Sequence, residues 1–411
     1  MATVGLLRPA FAGALRLGLV YAALYAGNGI ASPYMPLWFR AVGLSGEQIG
    51  VILAAPMLAR IVTGPALGLW ADGFALRRRP VIILLVLALA AYSSMALLDG
   101  FAALAVAWFV AATAVSACSP LVDVIVLRRA DRDGFAYAMS RGLGSAAYVV
   151  GNITAGLALA TFGPPVALIG TAAMVALAVL AARLLLPPEL TVEVGARTDL
   201  RARSAVFHDL MRDPTFLLMI VAAGLIQAAN AFYYAFSVLI WREQGIDAAT
   251  AGLLWGLGVA AEVAFLWFME PWRRRLTPER LLIVAGLASV GRWTVLAACP
   301  PLWLLWPLQI LHALTLCAPF LASLQLTARF TRHEDASVAQ QINGAMAFGL
   351  LSGLATLGSG MLYERVGAGG YLFMSGLSLI GLAGALALSR RQAAVALAGR
   401  VLSARSCDAL R

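Results

Sequence analysis

Five ionisable side chains stand deep inside long apolar stretches of this chain: Asp123, Arg141, Glu262, Arg292 and His312. A charge at the middle of a bilayer costs roughly 2.5–3.5 kcal/mol. Residues kept there against that cost face a bundle interior or a wet cavity, and they mark the path of a solute or an ion. Asp123 and Arg141 fall on successive apolar stretches joined by a short hairpin. They can pair with each other, or open to clamp a polar ligand, since a guanidinium takes a carboxylate through two parallel hydrogen bonds. The plainer reading is an ion pair that only orders the bundle. Glu262 lies in mid-stretch, where a carboxyl can exchange a proton with a path beside it. Arg292 and His312, on two later stretches, are placed to hold it ionised.

Other polar groups share helix faces. Gln227, Asn230 and Tyr234 recur at spacings of three and four, which puts them on one side of a helix, with Tyr233 beside them. Tyr148 follows Arg141 by two turns on the same face, an arrangement expected to set a ring over a cation and to suit a ring-bearing ligand. Aromatics in apolar helices also serve as packing or as interface anchors. Gly68 and Asp72, followed by Arg77, Arg78 and Arg79, are expected to form a charge latch between helices, against the alternative of a solvated charge run. Arg60 is a further arginine within an apolar stretch, with no partner readable from the sequence.

The elements that carry these residues follow from composition. Of 411 residues 62% are hydrophobic and only 12% charged. A soluble fold with about a quarter of its residues charged would cover its core, and this one would not. A spanning helix needs about 20 apolar residues. Twelve such stretches are predicted, six before and six after a polar segment at Pro187–Asp213. The expected organisation is a helical half over 1–186, a linker over 187–213 with a short amphipathic helix near Leu200–Met211, a second half over 214–391 and a tail over 392–411. Such a layout puts a binding site near the midplane between the halves.

All 30 basic residues other than histidine are arginines, and the net charge is +10. They collect in alternate loops, at Arg77–Arg79, Arg128–Arg132, Arg273–Arg280 and Arg329–Arg332, in the central segment and at both ends. Cytoplasmic loops carry that excess, so both termini are expected in the cytoplasm of a bacterial inner-membrane protein. Gly64/Gly68 and Gly349/Gly353 have the spacing of close helix packing. Pro33, Pro36, Pro56, Pro65, Pro120 and Pro319 fall inside the predicted spans, where neighbours must satisfy the carbonyls they free. The four cysteines are far apart and make neither a disulfide framework nor a metal site. There is no H-E-x-x-H, G-x-S-x-G or P-loop pattern, so an enzyme is not expected, and neither is a cofactor.

The Gly68/Asp72/arginine loop, with twelve spans in a 6+6 layout, resembles the major facilitator superfamily, although Gly73 stands where that family usually has an arginine. Tyr25–Gly50, Phe232–Glu262, Gly291–Trp293 and Gln309–His312 are similar to the 3-phenylpropionate permease branch, itself similar to lactose permease. The resemblance implies that Asp123 and Arg141 match an acid–arginine pair that binds substrate, with Tyr148 at a stacking aromatic. It implies that Glu262, Arg292 and His312 match a coupling region. Thr315 stands in place of that family's proton-carrying Glu, and Gln309 in place of a Lys, so any proton must be carried by Glu262 or Asp123, with help from His312.

The function expected is proton-coupled symport of a small organic solute, foremost an aromatic carboxylate held by Arg141, with its ring near Tyr148, Tyr233 and Tyr234. A sugar or nucleoside symporter is the alternative; drug efflux or a non-transporting sensor would be further departures. The partners expected are a small-molecule substrate, protons and the lipid bilayer around a monomer, and no nucleic acid.

Overall fold

In a computed structural model the described residues, 2–190, 200–332 and 335–408, are helical almost throughout and contain no β-strand. The N-terminal group comprises α1 (Ala2–Ala41), α2 (Gly46–Asp72), α3 (Arg78–Met95), α4 (Phe101–Asp133), α5 (Tyr137–Phe162) and α6 (Pro165–Leu185). Helix α7 (Leu200–Arg212) realises the short helix expected in the linker. The C-terminal group follows: α8 (Pro214–Ala228), α9 (Ala231–Glu243), α10 (Ala248–Trp267), the single turn α11 (Glu270–Arg273), α12 (Pro278–Ala297), α13 (Leu302–Ile310), α14 (His312–Phe330), α15 (Ala336–Gly344), α16 (Ser352–Val366) and α17 (Gly370–Asp408). Helix α17 continues through the residues of the expected tail over 392–411 as far as Asp408.

Among the described residues, ten helical stretches are long and apolar enough to cross a membrane. Val62, Val150, Ile169 and Leu379 are exposed on their outer faces, a pattern that fits lipid rather than water. Several helix starts are capped by side chains. Ser45 and Gln48 form a reciprocal capping box on α2, and Asp247 caps α10 by accepting from the Thr250 amide. That bond holds the Asp247 carboxyl, in the loop before α10, below its ordinary range.

Two spanning helices are interrupted near mid-depth, and the interruptions are explained by the residues there. The chain from α8 to α9 turns at Ala229–Asn230, and α13 gives way to α14 at Leu311, four residues after Pro307. Pro319 in α14 has no N–H for the carbonyl of Thr315, four residues earlier. The side-chain amide of Asn230 donates to that carbonyl instead, at 3.0 Å, and Gln227 Nε2 donates to the Leu316 carbonyl at 3.3 Å. Interrupted backbone is tolerated in a bilayer only when its freed groups are taken up in this way. A π-helical turn at Ala345–Leu351 between α15 and α16 is a third irregularity at a similar depth.

The two groups touch chiefly at the arginine-poor end. A Cβ on Gly360 of α16 would lie 2.5 Å from the Gly46 carbonyl of α2, and one on Gly156 of α5 would lie 2.6 Å from the Ala248 carbonyl of α10. Arg40 of α1 pairs with Glu364 of α16 at 3.0 Å, and Glu364 also accepts from the Gly46 amide of α2. At the arginine-rich end Gly68, Gly142 and Gly344 have nothing within 4 Å of where a Cβ would be. The packing expected of Gly64/Gly68 is therefore not made: at Gly64 the nearest atom is Arg60 Cγ of the same helix, 3.9 Å away. Gly349/Gly353 do pack, on Ile61 and Leu58 of α2. Gly360→Val is expected to force α2 from α16, since the clash is with backbone. Labelling of a Ser45→Cys reporter by an impermeant maleimide should then rise several-fold, and unchanged labelling would refute this account of the closed end.

Candidate functional site

A cavity of about 650 Å³ lies between the two groups, lined from both. Tyr25, Asn28 and Ser32 of α1 are spaced three and four apart and share the face that lines it. Helix α4 contributes Trp108, Ser116 and Ser119, and α2 contributes Arg60. Pro36 and Pro120 free the carbonyls of Ser32 and Ser116, so polar backbone accompanies these polar side chains. From the C-terminal group come Gln227 and Tyr234. Of the residues expected to bind substrate, these two line the cavity, and Asp123, Arg141, Tyr148, Asn230 and Tyr233 do not.

Asp123 and Arg141 are brought close without forming an ion pair. Asp123 Oδ1 accepts from the Tyr21 hydroxyl and, at 2.9 Å, from the Tyr137 hydroxyl. The Arg141 guanidinium lies 4.2 Å from the centre of the Tyr25 ring and 5.4 Å from that of Tyr21. The ring expected over Arg141 was Tyr148, and the rings that cover it are those of α1. The reason is the crossing of α1 and α5 on glycines: a Cβ on Gly29 would lie 2.2 Å from the Tyr148 carbonyl, and one on Gly151 would lie 2.6 Å from the Ala26 carbonyl. That close approach carries the α1 tyrosines over Arg141. Tyr25 also bonds Ser119 at 2.8 Å, so Arg141 stands one ring behind the cavity wall.

The second cluster is a continuous relay, buried at Arg292 and His312 and partly exposed at Glu262. His312 Nε2 meets Glu262 Oε1 at 3.0 Å, and His312 Nδ1 meets Arg292 Nη1 at 2.9 Å. The same Arg292 nitrogen donates to Thr315 Oγ1 at 3.0 Å, and Nη2 donates to Gln309 Oε1 at 3.1 Å. Thr315 in turn donates to Asn230 Oδ1 at 3.2 Å, and Tyr233 donates to Gln309 Oε1 at 2.9 Å. The departures at 309 and 315 thus supply two acceptors for Arg292, which lies 0% exposed. A guanidinium has no acceptor. His312 Nδ1 must accept from it and carries no proton, so the imidazole is neutral and its Nε2–H donates to Glu262. Tyr234 connects this relay to the cavity, its hydroxyl 3.4 Å from His312 Nε2. Tyr233 is stacked on Trp255 with ring centres 4.9 Å apart and belongs to the wall behind it.

The expected latch is docked against the end of the N-terminal group and the start of the linker. The Arg77 amide donates to the Glu189 carbonyl at 3.0 Å, Arg78 reaches the Leu186 carbonyl, and Arg129 of α4 pairs with Glu189 at 2.5 Å. Asp72 ends α2, Arg79 lies in the first turn of α3, and Gly68 faces open space. Among the described residues no group of His, Cys, Asp and Glu is arranged to hold a metal ion.

Sequence reasoning overlooked Asn28, Ser32, Trp108, Ser116 and Ser119. The spacing argument applied to Gln227, Asn230 and Tyr234 would have found Tyr25, Asn28 and Ser32 on α1. Trp108 carries no such signal, being one aromatic among many in an apolar helix.

A bundle of apolar helices around a polar cavity, joined by close packing at one end, is the architecture of a membrane transporter. The chain belongs to the MFS_1 like family, whose model matches residues 14–374. It is 28% identical over 370 residues to the probable 3-phenylpropionic acid transporter of Escherichia coli (strain K12), covering 88% of this chain and 94% of that protein. It is 30% identical over 387 residues to the maltose permease of Geobacillus stearothermophilus, covering 91% and 94%. The crystal structure of the nucleoside transporter NupG shares the fold, with a TM-score of 0.81 at 15% identity over 92% of this chain and 98% of that one. The protein is therefore a multi-pass membrane transporter of the major facilitator type and not an enzyme.

Proposed function

We propose that the protein is a proton-coupled importer of a small aromatic carboxylate, working by alternating access across the bacterial inner membrane. The single observation that carries the proton coupling is the relay Glu262–His312–Arg292, which meets the cavity at Tyr234. With His312 held neutral by Arg292, Glu262 is the group free to take and release a proton. The substrate class is supported by the cavity, whose aromatic walls include Tyr25, Tyr92, Trp108 and Tyr234, and by the relative that handles 3-phenylpropionic acid.

In this reading twelve spans form two halves of six, over 1–186 and 214–391. Helix α1 is the first span, and the long stretch Val338–Gln392 folds into two at Gly367–Gly369. The positive-inside rule places both termini and the arginine-rich loops in the cytoplasm. The conformation is then inward-facing, since the groups are joined at the arginine-poor end. The transporter works as a monomer, and the Asp72/Arg77–Arg79 loop, with Gly68, regulates closure at the cytoplasmic end. Asp123 and Arg141 set the position of the Tyr21/Tyr25 wall.

The sugar reading has one observation in its favour, the maltose permease relative. Energetics separate the two. One proton moving with one monocarboxylate carries no net charge, so a membrane potential does no work on the pair. The pH difference does all of it, about 1.36 kcal/mol or tenfold accumulation per unit. A neutral sugar with one proton is electrogenic and gains about 2.3 kcal/mol per 100 mV, roughly 40-fold. Proteoliposomes clamped with valinomycin are expected to accumulate 3-phenylpropionate with an inward pH gradient at zero potential, and to gain nothing from an added potential. Accumulation of maltose driven by potential, with none of the acid, would reverse the assignment.

A further inference from the structure

The cavity holds a charge that no part of the relay uses. Arg60 lies fourteen residues into α2, about 20 Å along its axis and near mid-depth, too far from either surface for its side chain to reach water beyond the bilayer. It lines the cavity and is the sole charged residue there: no Asp or Glu is among the lining residues. Among the described residues no hydrogen bond or ion pair of Arg60 occurs, and Gly64, one turn on in α2, places no side chain against its stem. Two further polar groups in the same lining are buried and unpartnered, the Trp108 indole N–H and the Gln227 side-chain oxygen. Arg141, by contrast, is covered by two tyrosine rings, and Asp123 is held by two hydroxyls.

Resting on the transporter reading above, we infer that Arg60, and not Arg141, anchors the anionic group of the substrate, and that the substrate class is organic monoanions with an apolar or aromatic body. A guanidinium exposed to a cavity with no counter-charge is completed by a carboxylate, which it binds through two parallel hydrogen bonds. The apolar and aromatic part of the lining receives the body. A cavity with one uncompensated positive charge also rejects cations, which sets it apart from a broad cationic-drug exporter.

The test is titration calorimetry on the purified full chain in detergent. The probes are 3-phenylpropionate, its neutral amide, glucose 6-phosphate, maltose and uridine. Wild type is expected to bind 3-phenylpropionate and not the amide. Arg60→Gln should weaken that binding by about 30-fold, the scale of a lost charge-assisted bond, and Arg60→Lys should restore most of it. Because Arg60 makes no hydrogen bond or ion pair among the described residues, gel filtration and thermal unfolding should match wild type. A folded Arg60→Gln that binds 3-phenylpropionate as wild type does would overturn the role of Arg60 and leave the transport reading standing. Binding of glucose 6-phosphate alone, lost in Arg60→Gln, would uphold the anion anchor and remove the aromatic substrate. Folded wild type that binds maltose or uridine but neither anion, or that binds no probe, would overturn the anchor, and in the maltose or uridine case the carboxylate reading as well.

Discussion

Glu262→Gln is expected to abolish accumulation while leaving exchange intact. In proteoliposomes with an inward gradient of one pH unit, wild type should concentrate 3-phenylpropionate about tenfold and the variant should stop at equal concentrations. Counterflow, in which labelled solute outside exchanges for unlabelled solute inside, should persist, since it needs alternating access and no net proton movement. The physical basis is the relay itself. His312 donates from Nε2 to Glu262 and accepts at Nδ1 from Arg292, so neither nitrogen is free to carry a proton through the cycle. Glutamine is nearly isosteric and can still accept from Nε2, which keeps the packing and removes only the carboxyl group. Gradient-driven accumulation by the variant would move proton coupling elsewhere, to Asp123.

The second large effect is on stability. Arg292 is fully buried, spans Thr315, Gln309 and His312, and lies 4.6 Å from the centres of the Tyr233 and Trp293 rings. Arg292→Ala would leave a cavity, an unmatched acceptor at His312 Nδ1 and the Glu262 carboxylate without the nearby cation. Breaking a buried charged network by removing one partner costs about 3–5 kcal/mol. Thermal unfolding in detergent should fall by many degrees, and uptake should be lost with it. Arg292→Lys should recover little, because one ammonium cannot reach both the Gln309 and the His312 sides that the planar fork bridges. A melting temperature within a degree of wild type for Arg292→Ala would mean that the network contributes nothing to the fold.

Much of this was legible before any coordinates. The hydrophobic content made a membrane bundle unavoidable, because too few polar residues exist to cover a soluble core. The ionisable residues inside spans named both clusters, since a bilayer taxes each of them. Spacing put Gln227, Asn230 and Tyr234 on one face. The structure unites two of these with the cavity and turns Asn230 to the carbonyl that Pro319 frees. The sequence also held Pro319 and Asn230 in plain view, but nothing along the chain says that a residue 85 positions away meets that carbonyl.

What only the tertiary structure decided is which charge faces the cavity. Arg60 and Arg141 are each the one arginine of an apolar helix, and the sequence offers a partner, Asp123, to Arg141 alone. Glycine contacts between α1 and α5 draw those helices close enough for Tyr21 and Tyr25 to cover Arg141. Arg60 lines the cavity between the two groups, with no hydrogen-bond or ion-pair partner among the described residues. Local spacing determines the face of a helix on which a side chain stands. The neighbour on that face depends on how closely two helices cross, and that is set by small residues on both partners at once.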